Sequence, residues 1–194
     1  MRKLFNVLFL VLAAFMAYLL YKSIEEPIAF ADYRSERKAV VVEKLEKIRR
    51  TQEMFRDITD KFAHDFDTLQ EVLTNEKFII INVNGDPDDP DFNGTLTYDT
   101  TFISAFDSIK ALGIDLADLR YVPFTDNKVQ FDIDAQIVPY QSIEVPVVQV
   151  GTPWKNFMGE YADPRFATYD RKYNPSKAIK FGDLSKPNLS GNWE

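Results

Sequence analysis

The run from Leu4 to Tyr21 constrains this chain more than any other feature: eighteen residues, almost all apolar, with Asn6 as the one strongly polar member. As a helix it spans about 27 Å, enough to cross the hydrocarbon core of a bilayer. Leu4, Phe9, Leu12, Phe15 and Leu19 supply the lipid-facing bulk of this anchor, and Tyr18 and Tyr21 stand where aromatic rings prefer the headgroup level. Arg2 and Lys3 precede the run, so the positive-inside rule predicts a cytoplasmic N-terminus and a domain on the far side. A cleaved signal peptide is the alternative, through the A-x-A site Ala29-Phe30-Ala31, which lies well beyond the apolar run.

Composition removes many functions. The chain of 194 residues has no cysteine and a single histidine, His64. Disulfides, thiolate zinc sites, cysteine nucleophiles and most histidine-dependent triads are therefore excluded. The formal net charge of −7 opposes nucleic-acid binding, which needs a concentrated basic face. No Gly-rich phosphate loop, G-x-S-x-G or H-E-x-x-H occurs, and the expectation is a protein that is not an enzyme. Asp132 and Asp134 share one face of a strand pattern and read as solvent-facing acids.

Glu25-Glu26-Pro27 is expected to break the anchor from the downstream chain, because proline disfavours helical backbone at its predecessor. The organisation predicted is an anchor over 1–22, a linker over 23–33, an α+β domain over 34–184 and a polar tail over 185–194. From Arg34 an amphipathic helix is expected, with Val41, Leu45, Ile48, Phe55, Ile58 and Phe62 recurring at threes and fours. Gln52 interrupts the stripe. Either the whole helix packs on its own domain, or the two halves divide, with Phe55, Ile58 and Phe62 packing on the domain and Val41, Leu45 and Ile48 facing a partner chain. Asp65 caps a second helix over 66–73, and Lys77–Val83 reads as a buried strand. Ser104 caps a third helix that Gly113 ends. Beyond Arg120 the period becomes two, with strands at 129–137, 143–147 and 179–181. The class is α+β: a transmembrane helix, an amphipathic helix, then a mostly antiparallel sheet.

The sharpest local motif is Asp89-Pro90-Asp91-Phe92-Asn93-Gly94, the opening of a calcium loop in which Asp89, Asp91 and Asn93 would be ligands. The twelfth position holds Thr100 instead of a bidentate glutamate. The stretch reads as an acidic surface turn or as a weak calcium site, and calcium is the only cofactor the residues offer.

Residues 45–69 resemble the N-terminal helix of type II secretion pseudopilins, with Ile48-Arg49, Gln52, Phe55 and Lys61-Phe62 at matching spacing. Residues 1–22 carry neither the glycine-ended prepilin peptidase site nor the glutamate of the pilin apolar segment. The chain is also similar to an uncharacterised family of single-pass Gram-negative envelope proteins, through Ile24-Glu25-Glu26-Pro27, the same helix and Gly191-Asn192-Trp193-Glu194. That resemblance implies an inner-membrane protein with a periplasmic domain. The function expected is a non-enzymatic subunit of an envelope complex, a secretion assembly or a proton-driven motor, whose partners are the bilayer and other inner-membrane or periplasmic proteins. The alternatives are a ligand- or calcium-binding periplasmic module and a pseudopilin-like assembly subunit.

Overall fold

A single helix, α1 (Arg2–Thr59), runs from the apolar N-terminus into the heart of the domain without a break. The structure, a computed structural model, describes residues 2–84 and 97–193. After α1 come α2 (Phe66–Asn75), β1 (Lys77–Asn84), β2 (Thr97–Ser104), α3 (Ala105–Ala111), β3 (Asp132–Tyr140), β4 (Ile143–Pro153), β5 (Ala178–Gly182) and β6 (Gly191–Asn192). Three short 3-10 turns lie between β4 and β5. The fold is α+β, and both sheets are antiparallel: a two-stranded hairpin β1-β2 and a four-stranded sheet β3-β4-β5-β6.

The predicted linker does not form: Pro27 lies inside α1. An interior proline costs a helix about 3 kcal/mol through a missing bond and a ring clash. Three residues on, Phe30 is 2% exposed and belongs to the main core, so its burial and ring contacts offset that cost. The helix continues because breaking it would withdraw Phe30 from the domain.

Farther along, Val41, Leu45 and Ile48 are fully buried in the core cluster with Met54 and Phe55. This corrects the expected division of the stripe, since these three side chains already have intramolecular neighbours and cannot face a partner. Gln52 does not interrupt the buried face either. Its side chain is inaccessible and reads the backbone of the turn after the helix: Nε2 donates to the Ala63 carbonyl at 2.9 Å, and the Ala63 N–H donates to Oε1 at 2.9 Å. Asp60, in the left-handed region at φ 58°, ends α1 and turns the chain back. Asp65 then caps α2, accepting from the Thr68 N–H at 2.6 Å. Leu69 and Leu73 of α2 are buried beside α1.

The period-two reading holds from Phe131 to Ala135 and fails in β4, where Val147 and Val148 are both buried and Ile143 is exposed. Phe131, Ile133 and Ala135 turn inward while Asp132, Asp134 and Gln136 are exposed. Ile137, toward the turn end of the hairpin, is 48% exposed. Gln141 and Ser142 link β3 to β4 with φ of 47° and 71°, the two left-handed residues of a type I′ hairpin turn. Pro146 sits on the length of β4 that β5 does not reach, an edge position as its missing N–H requires. The tail is not wholly unstructured: β6 pairs with β5, and Trp193 packs against the core.

Gln52→Leu keeps the volume and leaves the Ala63 N–H and C=O buried without partners. Denaturant unfolding of the variant should show a loss of about 2–4 kcal/mol, in keeping with two unsatisfied backbone groups.

Candidate interaction surface

Two features determine how this chain presents itself: the grip of the domain on α1, and the face of the β1-β2 hairpin. The grip comes from the segment 154–173, which sequence pattern leaves as an irregular aromatic stretch. Pro164 and three 3-10 turns let it wrap instead of extending into a strand. Phe30 is the centre. The Phe166 ring stacks on it at 5.5 Å, Tyr173 meets it edge-on at 5.1 Å, and Tyr161 lies 5.6 Å away.

Polar contacts frame the rings. The Tyr169 hydroxyl donates to Glu26 at 2.8 Å, one helical turn nearer the anchor. Arg34 pairs with Asp170 and lies 5.0 Å from the centre of the Trp154 ring. Arg37 sits over the Tyr33 and Phe124 rings, at 4.2 and 4.4 Å, and donates to the Phe157 carbonyl. Gly159, at φ 54°, passes so close to α1 that a Cβ there would come within 2.8 Å of the Tyr33 hydroxyl. Backbone N–H donation from Lys172, with Arg34 beside it, holds the Asp170 carboxyl below its ordinary value of 3.8. Burial pushes the Tyr173 hydroxyl up to about 12, and it donates to the Tyr161 carbonyl at 2.6 Å.

Below this grip α1 has no cover from the rest of the described chain. Phe9, Leu12, Phe15 and Leu19 are all exposed, as are Tyr18 and Tyr21. The helix is long and apolar enough to cross a membrane, and none of its most apolar stretch is buried, unlike a core helix of a soluble protein. Leu4 lies on the same helix.

The second feature stands at the other end of α1. The expectation of a buried strand for β1 is overturned. Ile79, Ile81 and Val83 are 64%, 58% and 51% exposed, and on β2 Tyr98 and Phe102 are 66% and 62% exposed. Register explains their union: Ile79 pairs with Phe102, Ile81 with Thr100 and Val83 with Tyr98, and opposed residues of a pair point to the same face. The opposite face carries Phe78, Ile80 and Ile103, and Phe78 packs on the core near Met54 of α1. That side seats the hairpin on the domain only at its base, through Phe78, and Ile80 and Ile103 beside it are 40% and 39% exposed. The other is an apolar sheet face that no described residue covers. A β-branched run signals a strand but not its depth, and β2, with Thr97, Asp99, Thr100 and Thr101, gives no apolar period to find it by.

Other sites read from sequence are dispersed. Asp89, Asp91 and Asn93 lie outside the described residues. Among the described residues no group of three metal-ligating side chains converges. His64 is exposed and lies 3.0 Å from Asp65, the α2 cap. Asp132 and Asp134 line a shallow depression with Gln149 and Lys180, and Lys180 donates to Gln149 at 2.6 Å. A groove between α1 and residues 113–127 is lined by Val40, Leu119, Val122 and Phe124, and the Lys44–Asp118 pair at 2.7 Å neutralises two of its charges. No protein-family model, curated protein or solved structure matches the chain.

Phe30→Ala should cost about 3–5 kcal/mol in chemical unfolding, the scale of a buried aromatic truncation. Leu45→Asp should unfold the domain as completely as Phe55→Asp, which circular dichroism of the two variants would check. Because Asp170 is depressed in the folded state, its contribution is complete above about pH 4 and is lost as pH falls below that. The melting-temperature gap between wild type and Asp170→Asn should therefore narrow between pH 6 and pH 3.

Proposed function

We propose that the chain is a membrane-anchored, non-enzymatic subunit of an envelope protein complex. In this reading α1 holds it in the inner membrane of a Gram-negative cell, the domain stands in the periplasm, and the working surface is the open face of the β1-β2 hairpin. A secretion assembly and a proton-driven motor are the two hosts that fit such a tethered accessory. The carrying observation is the row of Ile79, Ile81 and Val83 beside Tyr98 and Phe102. Five large apolar side chains, each at least half exposed on one face, amount to several hundred Å², the size at which a patch marks an interaction site.

The membrane itself does not account for that face. The hairpin is seated near Arg50, Met54 and Asp57 of α1, and Arg50 is 29 residues beyond Tyr21. That is about 43 Å of helix above the apolar span. Each described strand has eight residues and extends only about 27 Å. Even directed straight at the bilayer, these strands fall short of it, so the chemistry that suits the face is another apolar protein surface.

Orientation rests on Arg2 and Lys3 ahead of the span. Retention of the anchor is supported by Phe30, since cleavage after Ala31 would remove a core side chain together with Glu26.

An alkaline phosphatase fused to the C-terminus should be active; an inactive fusion with an active cytoplasmic reporter would reverse the orientation. The tagged full chain, cross-linked in the membrane before extraction in mild detergent, should return a stoichiometric companion. Ile81→Asp should lower that yield at least tenfold and leave the melting temperature unchanged. Recovery of wild type as a lone monomer would overturn the subunit reading.

A further inference from the structure

We propose that the open hairpin face is an interface between two copies of this chain, packed so that β1 of one lies over β2 of the other. The inference rests on the subunit reading and names the companion. The two strands present different chemistry on the same face: β1 offers the branched aliphatics Ile79, Ile81 and Val83, and β2 offers the rings of Tyr98 and Phe102 with Thr100 between them. A two-fold axis running parallel to the strands, midway between two such sheets, carries each β1 onto the partner's β2. Aliphatic side chains then meet rings in both halves of the contact, which is the self-complementarity an isologous interface needs. Aromatic–β-branched pairs are also among the favoured contacts on sheet faces.

Charge permits the pairing. Among the described residues the face carries one charged side chain, Lys77, at the base of the hairpin, so the two strands meet their copies without like charges at the centre. The one acidic side chain of the two described strands, Asp99, pairs with Asn82 on the other side, away from the proposed contact.

Area points to a tethered pair. A stable complex between free proteins buries about 800 Å² on each partner, somewhat more than five half-exposed side chains provide. Two copies held in one bilayer by α1 carry the same hairpin at the same height. Their encounter is confined to a layer, and effective concentrations under such tethering reach the millimolar range. An interface too small for free monomers suffices under that constraint.

The chain has no cysteine, so introduced thiols report cleanly. Full-length Ile81→Cys and Thr100→Cys proteins would be mixed, co-reconstituted in phospholipid vesicles and oxidised. These positions are register partners within one hairpin, and the proposed symmetry brings position 81 of one copy over position 100 of the other. The reference is the pair Asn82→Cys and Asp99→Cys, register partners on the opposite face and likewise exposed. The mixed 81/100 dimer should form at least ten times faster than the 82/99 dimer, and all four variants should melt with the wild type. Equal rates in folded variants would overturn the pairing. If rates are equal and Ile81→Asp still removes a different stoichiometric protein, copy pairing falls and the subunit reading stands.

Discussion

The burial of Phe30 is the contact on which the rest of this architecture depends. It lies three residues past a proline that would ordinarily end a helix, and its ring is enclosed by Tyr161, Phe166 and Tyr173. Burying a phenylalanine contributes about 1.5–3 kcal/mol, and well-placed ring pairs add about 0.5–1.5 kcal/mol each. Together these exceed the roughly 3 kcal/mol penalty of an interior proline. The result is that the apolar span and the domain core are parts of one helix, and neither can be repositioned without disturbing the other.

Legibility in the sequence tracks the range of the interactions involved. Local signals hold: the Asp65 and Ser104 caps, the α3 stop at Gly113 and the alternation from Phe131 to Ala135 all depend on neighbours a few residues away. Errors arise where a distant segment overrides a local preference. Pro27 reads as a breaker until residues 161–173 are folded against Phe30. Gln52 reads as a gap in an apolar stripe until the turn at Ala63 supplies a donor and an acceptor that match its amide. Val41, Leu45 and Ile48 read as outward-facing because of that supposed gap, and they return to the core once it disappears.

The interaction surface is half legible. Lys77–Val83 announces a strand through its branched residues, and nothing in that pattern tells an enclosed strand from an exposed one. Five of the eight residues of β2 are polar, so Tyr98 and Phe102 acquire meaning only through pairing with β1. The exposed edges of a two-stranded sheet are also a hazard for uncontrolled association. Mounting the hairpin on a helix with an apolar span long enough to cross a membrane would restrict which surfaces those edges can meet.

An unbroken α1 also acts as a lever. With the domain clamped at Glu26, Phe30 and Arg34, the helix runs on past Pro27 from the apolar span to the hairpin seat near Arg50. At about 43 Å from the membrane, a change of about 10° in helix tilt sweeps the hairpin face sideways by about 8 Å. That displacement exceeds the length of a side chain. Forces acting on the span, whether from bilayer thickness or from a neighbouring helix, are thus delivered to the far end of the molecule as motion of the apolar face.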